Sequence, residues 1–191
     1  ELTIKREERG LVSRFLHDTV RVGDRIQVTA PGGRFTFTGE SVEAIVLIAG
    51  GVGITPLMSI IKTTLESEPM SAIFLLYGSR NEENIIFRDE LDRLSERYVG
   101  QLHVEHVLSQ PRKESTGSGL FGVFKKSTTN WQGKIGRISG RVANTFLDDN
   151  LAHGPESDCI YYICGPGDMA ETIEAKGLTS TSSNNSSNSN G

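Results

Sequence analysis

From Ala44 to Ala49 the chain reads Ala-Ile-Val-Leu-Ile-Ala without one polar side chain, and then turns through Gly50-Gly51-Val52-Gly53 into Ile54-Thr55-Pro56. A strand apolar on both sides has to be covered on both sides, as strands inside a parallel sheet are. The whole run is about half of what a membrane-spanning helix needs. The next segment, about Thr55 to Glu66, puts Leu57, Ile60, Ile61 and Leu65 at helical spacing. The alternation then repeats. Ser71 to Tyr77 and Leu102 to Leu108 read as apolar strands, with a helix from Phe87 to Tyr98 between them that turns Leu91 and Leu94 inward and pairs Asp89 with Arg93 on its exposed side. Gly140 to Leu147 reads as a helix, Asp158 to Cys164 as a buried strand and Met169 to Lys176 as a last helix. Apolar strands alternating with helices predict an α/β fold, a parallel sheet flanked by helices that takes ligands at the carboxyl ends of its strands.

The first forty residues have a different texture. Glu1 to Lys5 begins mid-pattern as a strand, Ser13 is placed to cap a short helix from Arg14 to Val20, and Val22-Gly-Asp24 reads as a turn. Arg25 to Ala30 alternates as a strand with Ile26 and Val28 on one side, Pro31-Gly-Gly33 turns, and Phe35 to Phe37 is extended again. These are the marks of part of an antiparallel β-barrel. The expected organisation is therefore a partial barrel over 1–40, an α/β domain over 41–178 with a long polar loop at 109–134, and a Ser/Asn-rich tail over 179–191 with nothing to bury. A chain that starts inside a strand is expected to be a piece of a longer one.

Composition excludes more than it selects. A hydrophobic share of 36% with 23% charged residues is that of a globular chain, and a net charge of −4 gives no reason to expect nucleic acid or an anionic membrane as partner. A soluble, cytoplasmic protein is the default expectation. The two cysteines, Cys159 and Cys164, are too few for an iron–sulfur cluster, and the four histidines have no metal-ligand spacing, so no metal site is expected.

Chemistry concentrates where strands give way to helices. Glycines at 50, 51 and 53 permit a tight turn and a close backbone approach, Thr55 can cap and Pro56 can start the helix, and the amino end of that helix favours a phosphate. A purely structural turn accounts for these glycines equally well, and the spacing departs from Gly-x-Gly-x-x-Gly. Ser13 fits an N-cap as well as a ligand contact, Arg80 fits a solvated arginine as well as an anion contact, and Cys164 fits a buried structural thiol.

Taken in order, however, several segments resemble the ferredoxin-NADP reductase superfamily. Gly50-Gly-Val-Gly-Ile-Thr-Pro56 is similar to its nucleotide-binding turn, and Tyr77-Gly-Ser-Arg80 with Ile85-Ile-Phe-Arg-Asp-Glu-Leu91 is similar to its second strand and helix. Trp131 with Gly133-Lys-Ile-Gly-Arg-Ile-Ser139 resembles its approach to a later helix, and Cys164-Gly-Pro-Gly-Asp-Met169 its Cys-Gly-Pro-x-x-Met segment. Upstream, Gly10-Leu-Val-Ser13, Val22-Gly-Asp24 and Pro31-Gly-Gly-Arg-Phe35 resemble the end of its flavin domain. The resemblance implies FAD and NAD(P)H as cofactors, with Gly10, Leu11, Val12 and Ser13 at the flavin pyrophosphate and Gly50, Gly51, Gly53, Thr55 and Pro56 shaping the dinucleotide cleft. It implies Ser79 and Arg80 at the adenosine ribose or its 2′-phosphate, Gly165 and Pro166 on the opposite wall, and Cys164 as the catalytic position beside the nicotinamide.

Two departures qualify the implied activity. The family's Arg-x-Tyr-Ser/Thr flavin segment would precede Glu1, and its last strand and terminal contact are replaced by Ser and Asn. The expectation is a flavin-dependent NAD(P)H oxidoreductase, or a fragment of one, that passes a hydride to FAD and electrons to an oxygenase, a haem or iron–sulfur protein, or a further domain. The alternative is a nucleotide-binding module without catalysis of its own.

Overall fold

A computed structural model describes residues 2–30, 32–37, 39, 42–68, 70–115, 127–151 and 158–174. Pro31 of the expected turn, the middle of the polar loop, Lys176 of the last helix and the tail from Thr179 lie outside these. The chain falls into two compact units, Glu1–Glu40 and Ser41–Gly191.

The first unit holds one helix, α1 (Leu11–Asp18). It begins earlier than expected, with Gly10 and not Ser13 at the cap position. Ser13 sits in the first turn, and its hydroxyl reaches back to accept the Glu7 N–H at 3.2 Å. The Arg6 guanidinium forks onto both Asp18 carboxylate oxygens at 2.9 Å, holding that exposed carboxyl below its ordinary pKa. The strands expected over Glu1–Lys5, Arg25–Ala30 and Phe35–Phe37 are not formed among the described residues. An extended segment becomes a strand only by exchanging backbone hydrogen bonds with another, and no two of these pair.

The second unit is built on a five-stranded parallel sheet in the order β6-β3-β2-β1-β7, where β1 is Ala44–Gly50, β2 Ala72–Ser79, β3 Leu102–Leu108, β6 Lys134–Ile135 and β7 Cys159–Cys164. A separate antiparallel pair, β4 (Lys113–Ser115) and β5 (Ser127–Thr129), lies in the stretch expected to be loop. Both it and the two-residue β6 lack the apolar alternation by which strands are recognised, since short strands are held by pairing and not by burial. β1 pairs with β2 along one edge and β7 along the other and is buried along its whole length.

Helices close both faces. On one side α4 (Gly140–Asn150) and α5 (Gly167–Glu174) bring Ala143, Phe146, Leu147 and Ile173 onto Val46, Ile48, Phe74, Leu76 and Val107. Ser139 starts α4 by accepting the Val142 N–H, and the apolar face follows at helical spacing. The alternate residues Ile45, Leu47, Ile73, Leu75 and Tyr77 face the other way and are fully buried. That side carries α2 (Ile54–Ser67) and α3 (Arg88–Arg97), tied to each other by the Lys62–Glu90 ion pair at 2.8 Å. The ion pair expected between Asp89 and Arg93 is replaced by a bond from Arg93 Nε to the Asp89 backbone carbonyl, 3.1 Å.

Phe146 is 1% exposed in the face beneath α4, so Phe146→Ala should cost about 3–5 kcal/mol. Urea unfolding followed by circular dichroism measures it, and a loss under 1 kcal/mol would mean that α4 does not close the core.

Candidate functional site

Chain order runs from β1 outward through β2 and β3 to β6, then returns to place β7 on the other side of β1. The sheet thus changes direction between β1 and β7, and an open α/β sheet has its crevice outside the carboxyl ends of its strands at such a point. A hollow of about 610 Å³ lies there, lined by Gly50, Gly51, Gly78, Ser79, Arg80, Ser109, Gln110, Gly136, Arg137, Ile138, Pro166, Met169 and Thr172.

The glycine turn forms one wall. Gly51 has φ +54°, a left-handed conformation that costs a side-chain-bearing residue dearly. Gly51–Gly53 makes a single 3₁₀ turn, and α2 follows directly at Ile54, so Gly53 occupies the cap position and neither Thr55 nor any other side chain caps the helix. Thr55 and Pro56 are instead half-buried residues of its first turn. Gly53 is required for closeness: a Cβ there would strike the Cys164 carbonyl group and the Gly165 nitrogen. Gly50 and Gly165 approach each other in the same way, with Pro166 and Met169 filling the space above.

β2 and β3 form the opposite wall. Their pairing continues past the strand ends, Ser109 N–H to Ser79 carbonyl at 3.0 Å and Gln110 N–H to Arg80 carbonyl at 2.7 Å. The exposed Arg80 then lays its Nε on Gln110 Oε1 at 3.0 Å, which orients the guanidinium along the hollow. Glu82 and Glu83 bound a separate hollow of about 470 Å³ with Asn81, Arg112 and Asn130. There the Arg112 backbone N–H bonds Glu82 and its guanidinium pairs with Glu83 at 3.4 Å, and Glu82 is held below its usual pKa chiefly by backbone N–H groups.

Among the residues singled out in the sequence, Gly50, Gly51, Ser79, Arg80 and Pro166 line the hollow together. Gly53, Thr55, Pro56, Cys164 and Gly165 lie next to it and shape its wall from behind. Cys164 pairs in register with Ala49 at the end of β7, half-buried, and burial pushes its thiol pKa up. Gly10, Leu11, Val12 and Ser13 belong to the other unit, where Lys5, Arg6, Glu7, Glu8, Arg9 and Gly10 border a hollow of about 590 Å³. Sequence reasoning missed Ser109, Gln110 and Thr172, which carry no motif. It left Arg137 and Met169 without a role although both stand in segments already noted. Among the described residues no three His, Cys, Asp or Glu side chains gather into a metal-binding group, and no helix is long and apolar enough to cross a membrane.

A profile described as "Oxidoreductase NAD-binding domain" matches residues 47–175. NADH-cytochrome b5 reductase 1 of Candida albicans is 29% identical over 175 residues, covering 91% of this chain and 52% of that protein. The flavohemoprotein of Bacillus subtilis is 29% identical over 164 residues, covering 86% of this chain and 36% of that one. Among solved structures, the CS-b5R domains of human Ncb5or in the NAD+ form superpose with a TM-score of 0.73 at 30% identity, covering 91% of this chain and 43% of that one. The chain belongs to the oxidoreductase NAD-binding domain family, within the ferredoxin-NADP reductase superfamily. It spans about half the length of the cytochrome b5 reductases it matches.

Because a Cβ at Gly53 meets backbone atoms, which cannot swing aside, Gly53→Ala should cost about 1–3 kcal/mol. The thermal unfolding midpoint measures this, and an unchanged midpoint would mean that β7 and the turn are not in close contact.

Proposed function

We propose that this chain is the nucleotide-binding part, with a piece of the flavin-binding part, of an FAD-dependent NAD(P)H oxidoreductase that passes a hydride from NAD(P)H to FAD and electrons to a redox partner. The crevice at the β1/β7 switch carries this reading. A dinucleotide is a doubly charged pyrophosphate flanked by flat rings. The crevice offers backbone N–H groups and a helix start to the charge, arginines to further phosphate, and Ile138, Pro166 and Met169 to the rings.

On this reading Gly50, Gly51 and Gly53 shape the pyrophosphate subsite, with Thr55 and Pro56 in the helix turn behind it. Cys164, with Gly165 and Pro166, forms the nicotinamide end. A thiol whose pKa is raised by burial stays protonated at neutral pH, so Cys164 acts as a small polarizable contact and not as a nucleophile. For FAD, the N–H groups of Leu11, Val12 and Ser13 point out of the start of α1 and suit a pyrophosphate, with Arg9 and Gly10 in the adjoining hollow. FAD, when bound, supplies the exchange between a hydride and single electrons. The names of the relatives support a haem protein as acceptor. An oxygenase, an iron–sulfur protein or a further domain of the same polypeptide fits the same chemistry, with the cytoplasm as the proposed location.

The coenzyme follows from the charges at the β2 end. Arg80 keeps its terminal nitrogens for a ligand while Gln110 holds its Nε, and Arg137 lines the same hollow. Glu82 and Glu83, the carboxylates that would suit unphosphorylated ribose hydroxyls, are engaged with Arg112 in the neighbouring hollow. The relatives named for NADH use that coenzyme, so both forms should bind, with Arg80 favouring the 2′-phosphate.

Calorimetry with this chain should give micromolar-to-millimolar affinity for NADP(H) and NAD(H). Arg80→Ala should weaken NADPH by roughly tenfold more than NADH, as expected for the loss of a charge-assisted hydrogen bond. No binding of either nucleotide at millimolar concentration would overturn the site, and equal losses would remove Arg80 from the adenosine end.

The second reading is a nucleotide-binding module without turnover. Purified protein with a flavin spectrum that bleaches on adding NAD(P)H would exclude it. In a polypeptide that includes the complete flavin domain, Cys164→Ser should slow flavin reduction by NAD(P)H and leave reoxidation by the acceptor nearly unchanged. Stopped-flow absorbance separates the two half-reactions, and an unaltered reductive one would reduce Cys164 to a packing residue.

A further inference from the structure

Tyr77 is fully buried near the end of β2, yet its hydroxyl is committed to the glycine turn: it donates to the Gly51 carbonyl at 3.0 Å and accepts the Ile86 N–H at 3.2 Å. Its ring is wedged against His106 of β3 at 5.6 Å, and His106 is in turn covered edge-on by Trp131 at 6.4 Å. Both backbone partners hold the oxygen at the turn, and the Ser79 side chain stands close to it. Ile86 leads into Phe87, which starts α3 at φ +61°, so the same hydroxyl ties two unusual pieces of backbone together.

The Gly51 carbonyl also accepts the Ile54 N–H that closes the 3₁₀ turn, so Tyr77 adds a second, side-chain hold to a carbonyl whose direction the turn sets. A trans peptide holds its C=O and N–H in opposite directions. With the Gly51 carbonyl drawn toward Tyr77, the Val52 N–H is turned the opposite way; Gly51 borders the crevice, and Val52 follows it as an exposed residue.

We infer that Tyr77 is the positioning residue for the anion subsite, locking the Gly51–Val52 peptide so that the Val52 N–H donates to the pyrophosphate of a bound dinucleotide. This rests on the nucleotide site proposed above and adds to it a residue that never touches the ligand. Tyr77 acts through peptide orientation and does not contact adenine or nicotinamide, so its effect is confined to ligands that carry a pyrophosphate.

The experiment compares ADP-ribose, NAD+ and adenosine on this chain and on Tyr77→Phe by calorimetry, with the unfolding midpoint of each protein recorded. Tyr77→Phe should weaken ADP-ribose and NAD+ about fivefold to tenfold while adenosine changes less than twofold. Equal weakening of all three, the pattern of general loosening, would overturn the inference, as would no change in any. Silence of the wild-type chain toward all three ligands would instead remove the nucleotide site and the inference with it. Should Tyr77→Phe not fold, the wild-type chain still decides the matter. On titration with inorganic pyrophosphate, the Val52 amide resonance should be among those that shift, and a Val52 amide that stays in place overturns the proposal.

Discussion

Strand β1 is buried on both faces and paired on both edges, and everything else in the second unit is arranged around that fact. Ile45, Leu47 and Ile73 on one face and Val46, Ile48 and Phe74 on the other cannot be covered by a single layer of helices, so the chain must cross the sheet on both sides. Each large side chain so buried contributes about 1.5–3 kcal/mol, which makes this packing the dominant favourable contribution of the unit. Since β1 has neighbours on both edges, the next connection must leave the sheet from its carboxyl end. The chain does so through glycines because the end of β7 lies too close for any side chain.

The crevice is the consequence of this packing. α2 leaves the carboxyl end of β1 toward one face and α5 leaves that of β7 toward the other, so a gap opens between them at the carboxyl ends of the two strands. What fills the gap is backbone: Gly50 against Gly165, Gly53 against the Cys164 carbonyl, and the Gly51–Val52 peptide held from beneath by Tyr77. On the proposed reading, such a crevice suits an anion with planar ends, with Arg80 and Arg137 among the side chains at its rim.

The buried polar groups near the crevice are of two kinds. Tyr77 makes two hydrogen bonds with its hydroxyl, and burial raises its pKa, so it remains a neutral donor throughout the working range. His106 beside it is kept below its ordinary pKa by burial, and so is neutral at physiological pH. Tyr77 thus holds backbone in place through neutral hydrogen bonds, while His106 packs against it without placing a charge there.

The order of the long strands and helices of the second unit, the place of the glycine turn and the positions of Ser79 and Arg80 at the end of β2 were legible in the sequence, whereas the short strands β4, β5 and β6 were not. Each depends on local chemistry: apolar runs that need cover, glycines that permit sharp turns, positions that follow a strand. The order of motifs also reached the family. What only the tertiary structure decided is which groups meet. Ser109, Gln110 and Thr172 enter the crevice through strand register and helix placement, which no local pattern encodes. Thr55 and Ser13 read as caps by residue type, yet in each case the backbone begins its helix earlier and a glycine takes the cap position. Tyr77 looks in sequence like one more apolar residue of a buried strand. Its hydroxyl gains a role only because β1 and β2 run parallel in register, bringing the end of one beneath the turn that leaves the other.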